Sequence, residues 1–130
     1  MAAVLTSVKD DLATKCVVDT SVNTTDVENA TGAAGAMYMV EIDTTAGVAT
    51  AGEPACYVKF INASSSVVGG GNSSSIPELV LYAPIGQVTS YVISGGWAFA
   101  AGLSYWAVTT AALAGDTSPT ADVKVTILSS

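Results

Sequence analysis

Residues 79–115 contain no Asp, Glu, Lys or Arg, and the whole chain contains neither histidine nor arginine. Charged side chains are what normally keep a surface wet. A run of this length without them is therefore buried on both sides, crosses a membrane, or lies against a partner. All three settings suit acid–base chemistry poorly. The absence of histidine also removes the side chain that most often titrates near neutral pH, so no Ser-His-Asp or Cys-His arrangement can be built.

The membrane alternative is weakened by the run's own composition. A spanning helix needs about 20 mainly apolar residues, and residues 97–113 approach that length. Gly102, Ser104, Thr109 and Thr110 dilute the stretch, Gly95 and Gly96 break its start, and no lysine flanks either end to set an orientation. Its Val, Thr, Tyr and Trp favour a pleated surface. Buried strands are expected, not a membrane span.

At 130 residues the chain is one domain's worth. Charged residues make up 12% where soluble domains average about 25%, and mean hydropathy is +0.51. Some apolar surface is therefore expected to find cover beyond an ordinary core. The four basic residues, all lysines, face eleven carboxylates, for a formal charge of -7. Nucleic acid is not an expected partner, because phosphate binding needs a basic footprint.

Along the chain, alternating apolar residues are divided by turn-forming clusters. Val123, Val125 and Ile127 alternate with Asp122, Lys124 and Thr126, the period of a half-buried strand. Tyr38, Val40 and Ile42 oppose Met37, Met39, Glu41 and Asp43, and Cys56, Val58 and Phe60 oppose Tyr57, Lys59 and Ile61. Strands are predicted near residues 14–19, 36–43, 55–61, 78–82, 87–93, 97–100, 103–110 and 122–128. Eight short strands point to an all-β antiparallel sandwich, jelly-roll or Greek-key. One domain is expected over residues 13–130. Residues 1–12 form either a terminal arm or a short helix with Val4, Leu5, Val8 and Leu12 on one face, and they lack the pattern of an export signal.

Candidate chemistry is sparse. Paired acids such as Asp10 with Asp11, or Asp26 with Glu28, sit in polar stretches where nothing raises one pKa for glycoside hydrolysis. Asp19, Asp26, Glu28 and Asp116 are oxygen donors without the spacing of a calcium loop. The glycine-rich stretch 69–75 lacks the lysine and helix of a phosphate loop. Trp97, Phe99 and Tyr105 are read as core, with a sugar-stacking platform that also takes in Trp106 as the alternative. Cys16 and Cys56, each beside apolar neighbours, are read as buried free thiols, with a single bridge between them as the alternative that spacing does not decide. No catalytic residue, metal or cofactor is assigned.

What stands out is apolar matter on faces that alternation makes wet. If Val40 and Val58 point inward, then Met37, Met39, Tyr57 and Ile61 point outward, and Trp106 opposes Tyr105 in the same way. Tyr, Trp and Met are enriched in interface cores. These five residues are the expected contact surface of a homo-oligomer or assembly subunit.

Three segments also carry a resemblance: YVKFIN at residues 57–62, PELVLYAPIGQ at 77–87 and GGWAFAAGLSYWAVTTAA at 95–112. Their order over roughly residues 35–128 resembles that in small structural proteins of tailed bacteriophages, particularly of marine and cyanobacterial hosts. The loop around Gly69 departs from that pattern in being richer in glycine. The resemblance implies a capsid decoration or cement protein: a small jelly-roll-like sandwich, often trimeric, that binds the major capsid protein on the virion surface after assembly in the host cytoplasm. It implies no reaction and no cofactor. A tail, neck or fibre module with a packing or host-binding role, possible carbohydrate binding included, is the alternative.

Overall fold

Where turn-forming clusters bracket alternating residues, strands form, and the computed structural model describes them over residues 13–65, 67 and 75–130. The arm or helix expected at residues 1–12 and most of the glycine-rich stretch lie outside the described residues. Seven strands follow in order: β1 (Lys15–Asp19), β2 (Gly35–Asp43), β3 (Ala55–Asn62), β4 (Leu79–Pro84), β5 (Val88–Phe99), β6 (Leu103–Val108) and β7 (Lys124–Ser129). No helix occurs among the described residues. All strand pairs are antiparallel, in a four-stranded sheet of order β1-β7-β2-β5 and a three-stranded sheet of order β4-β3-β6. The all-β antiparallel sandwich expected from the alternation is the architecture.

The inward residues of both sheets make one core. Val40, Ile42, Val125 and Ile127 from one sheet meet Val58, Phe60, Leu103 and Tyr105 from the other. Each such aliphatic or aromatic side chain contributes roughly 1.5–3 kcal/mol when fully removed from water. β3 and β7 follow the period-two pattern from end to end. The uncharged run becomes β4, β5 and β6.

β2 does not keep its phase. Its pairing with β7 steps from Met37↔Ser129 to Met39↔Leu128, so Tyr38 is an extra residue without a partner. Such a bulge flips the side-chain alternation on one side of it. Met37 therefore points inward and is completely buried with Val40 and Ile42, which overturns its expected outward position. The same irregularity merges two expected strands. On the β5 side the register steps from Met37↔Trp97 to Met39↔Val92, leaving the four residues 93–96 opposite Tyr38. Gly95 and Gly96 hold φ of 79° and 80° there, a region open chiefly to glycine. The pair expected as a break is thus a bulge within one long strand.

The linker between β1 and β2 covers an edge. Val27 exchanges backbone hydrogen bonds with Tyr105, the Ala30 amide donates to the Leu103 carbonyl, and the Ala107 amide donates to the Asn23 carbonyl. Through these bonds residues 23–30 run beside β6 as an irregular extra strand, leaving that edge no open ladder.

Candidate interaction surface

The two outer faces of the sandwich differ, and the difference starts from what lies over each sheet. On the three-stranded sheet, cross-strand pairing sets Val80, Lys59 and Trp106 in one row and Tyr82, Tyr57 and Val108 in the next. Trp106 and Val108 form a second apolar cluster with Val67, flanked by Tyr57, Ile61 and Ala63. Trp106 is only 2% exposed. Its expected place at an intermolecular contact is corrected: the chain's own segment at Val67, anchored by the Val67 amide donating to Glu28 Oε1 at 2.8 Å, closes over it. Tyr57 and Ile61 are half-buried under the same cover.

Beside Trp106 lies Lys59, 1% exposed. Its Nζ donates to the Ala112 carbonyl at 2.7 Å, which pins the loop after β6 onto the sheet. Desolvation holds its ammonium below the usual lysine range. The indole Nε1 of Trp106 is buried without an acceptor. Alternation places Lys59 outward, and the loop that returns to cover it carries no local signal.

The outer face of the four-stranded sheet has a different character. The register aligns Cys16, Leu128, Met39 and Val92 in one row across all four strands. The next row is Val18, Thr126, Glu41 and Ser90, and a third carries Lys124, Asp43 and Val88. The face thus grades from apolar to charged along the strands. Hydrogen bonds from the Thr45 hydroxyl and amide hold the Asp43 carboxyl below its usual range, with a smaller contribution from Lys124. Val92 is 81% exposed and Val18 55%. Cys16 is an exposed free thiol in this row, where a buried one was expected; Cys56 is buried, and burial, with Glu53 second, pushes its thiol up to about 11.

The side of the sandwich where β4 and β5 meet is apolar as well. Of eight exposed large hydrophobic residues among those described, four lie on these two strands: Val80, Tyr82, Val88 and Val92. The Tyr91 hydroxyl donates to the Tyr82 carbonyl and ties the two edges together. Of the five expected contact residues, then, only Met39, itself half-buried, lies in the apolar row of this outer face; Tyr57 and Ile61 are partly covered, and Met37 and Trp106 are buried.

The acids do not gather into one centre. Among the described residues no group of three or more His, Cys, Asp or Glu side chains converges. Asp19 accepts from the Tyr105 hydroxyl and the Ser21 amide, and Glu28 from the Val67 amide. Glu53 and Asp122 line a small surface depression. There the Glu53 carboxylate accepts from the amide and hydroxyl of Thr120, both at 2.8 Å, and Asp122 accepts from the Ser21 hydroxyl. These bonds tie loops to one another. Trp97 packs against the core and neighbours Phe99 at 6.2 Å between ring centroids.

No protein-family model matches the chain, and neither a curated protein nor a solved structure does.

Proposed function

We propose that this protein is a structural subunit that works by binding other protein chains, and that its place is a virion, as a decoration or cement protein on the capsid of a tailed phage. The observation that carries the assembly reading is the apolar row Cys16, Leu128, Met39 and Val92, laid across a whole sheet face of a chain with net charge -7. An apolar surface rimmed by polar residues marks a contact site. The likeness of residues 57–62, 77–87 and 95–112 to small phage structural proteins supplies the capsid part of the reading.

A sugar-binding module would need a tryptophan face open to solvent. Trp106 is buried and Trp97 is packed against the core, which favours protein contacts over carbohydrate stacking. The test is to mix the purified protein with undecorated phage heads. Binding that saturates at a fixed ratio and raises resistance to heat or shear is the expected result. Absence of binding to any head surface, together with binding to host cells, would move the protein to the tail or fibre class.

A further inference from the structure

We infer that the β5 edge is a dimerisation strand, and that its occupant is the β5 strand of a second copy, paired antiparallel about a two-fold axis through Ser90. The inference rests on the assembly reading above and names the partner of its apolar β4–β5 side.

Among the described residues the sandwich has four sheet edges, and three are defended. β6 is paired with the 23–30 linker. β1 carries a charged residue at each end, Lys15 and Asp19. β4 is bracketed by Pro77 and Pro84. Natural edges are blunted by such devices because an open ladder recruits other strands. β5 between Val88 and Val92 has neither charge nor proline.

The direction of its free backbone groups follows from the ladder. The Thr44 amide donates to the Gln87 carbonyl at 3.0 Å, so Thr44 and Gln87 form a hydrogen-bonded pair. In an antiparallel ladder such pairs alternate, and the register is Ile42↔Thr89 and Val40↔Tyr91. Residues 87, 89 and 91 therefore bond to β2. Val88, Ser90 and Val92 turn their N–H and C=O groups to the other side, where no described strand pairs with them.

Those three residues read Val, Ser, Val in either direction. A two-fold axis through Ser90 sets Val88 against Val92 of the second copy at both ends and Ser90 against its own counterpart in the middle. Apolar meets apolar, hydroxyl meets hydroxyl, and six backbone hydrogen bonds close. A foreign strand would have no reason to match that symmetry. Two chains of charge -7 repel, but this edge brings no charged residue of β5 to the contact. The bulge at residues 93–96 ends the pairing on one side and the turn at Gly86 ends it on the other. The product is one continuous eight-stranded sheet. Its outer face carries the row Cys16, Leu128, Met39 and Val92 from each copy.

Sedimentation of the full chain at tens of micromolar tests this. The expected mass is twice 13.0 kDa. Ser90→Pro removes an edge N–H that β2 does not use, and it is expected to sediment at the single-chain mass with an unchanged far-ultraviolet spectrum. The pair V88K/V92K and V88E/V92E keeps the test decisive should the proline variant not fold. Each is expected to be monomeric alone, and their equimolar mixture to regain the doubled mass, because Val88 of one copy faces Val92 of the other. V18K on the β1 edge is expected to remain dimeric. A monomeric or trimeric wild type, or a dimer that survives the like-charge pairs, overturns the pairing. Saturable head binding by a monomeric protein would overturn it while leaving the proposed function standing.

Discussion

Tyr105 ties the two layers of the sandwich together, and removing its hydroxyl measures that tie. The ring is 1% exposed, packs against Phe60 at 6.0 Å between centroids, and its hydroxyl donates to Asp19 Oδ2 at 3.0 Å. β6 of one sheet is thereby bonded to β1 of the other. Tyr105→Phe keeps the ring contact and deletes only the hydrogen bond. A bond to a charged acceptor is worth about 1.5–3 kcal/mol, and Asp19 is half-buried and regains water, so a loss near the lower end, about 1.5–2 kcal/mol, is expected. Unfolding entropy near 2.1 cal/mol/K per residue over 130 residues turns that into a Tm fall of about 5–7 °C. Urea and thermal denaturation followed by circular dichroism give both numbers. In an Asp19→Ala background the same change should cost little, since the acceptor is gone.

The pH dependence has a definite sign. Burial, then the Asp19 charge and hydrogen bond, push the Tyr105 phenol above its ordinary value. The folded state thus keeps a proton that the unfolded state loses above about pH 10. That contribution is complete below pH 10 and fades as pH rises further, so the gap between wild type and Tyr105→Phe narrows there. A loss under about 0.5 kcal/mol at pH 7, or a gap that widens in alkali, would refute the reasoning.

Other substitutions probe the bulge, the buried lysine and the buried thiol. Gly96→Ala brings a Cβ to 2.6 Å from the Tyr38 ring at a φ of +80°, and a loss on the order of 2 kcal/mol is expected in the same urea assay. Lys59→Met removes an ammonium whose burial lowers its pKa and which donates to the Ala112 carbonyl. Stability at pH 7 should be unchanged or higher; a fall of more than about 2 kcal/mol in urea would show the ammonium to be well compensated. Cys56→Ala should cost about 1 kcal/mol at pH 7. Because burial pushes the folded thiol up from the ordinary 9.0 to about 11, its share of stability is present below pH 9 and lost between pH 9 and 11. Urea unfolding at a series of pH values should therefore show a smaller alkaline fall for the variant, by about 2–3 kcal/mol.

The parts of the fold legible in sequence are those fixed by local alternation. β3 and β7 keep period two throughout, so Val58, Phe60, Val125 and Ile127 were correctly placed inside. β2 reads just as regularly, yet Met37 was placed on the wrong face. Nothing in the order Met37, Tyr38, Met39 marks Tyr38 as a residue without a partner; the bulge is set by two neighbouring strands far away in sequence. Gly95 and Gly96 signal a backbone irregularity but not its kind, since the same left-handed φ serves a turn or a bulge. Trp106 was misplaced for another reason: its cover comes from Val67 and Tyr57, which no local pattern ties to it. The row Cys16, Leu128, Met39 and Val92 draws on four strands in the order β1-β7-β2-β5, so it exists only once topology is known.

The uncharged run has three different causes along its length. In β6, where every residue is buried, a charge would have to be desolvated on either face. Lys59, across the ladder from Trp106, shows what such a placement requires: a loop carbonyl brought to 2.7 Å and a depressed pKa. In β4, Leu81 and Ala83 face the core, and neutrality is explained on that face alone. At Val88 and Val92 burial explains nothing, because these side chains are 49% and 81% exposed. An exposed edge is where a solitary sandwich gains most from lysine or glutamate, which would cost little folding energy there and would block stray pairing. Valine at both positions, flanking a serine whose backbone groups face outward, is a choice that folding of one chain does not require and that the proposed pairing of two chains accounts for.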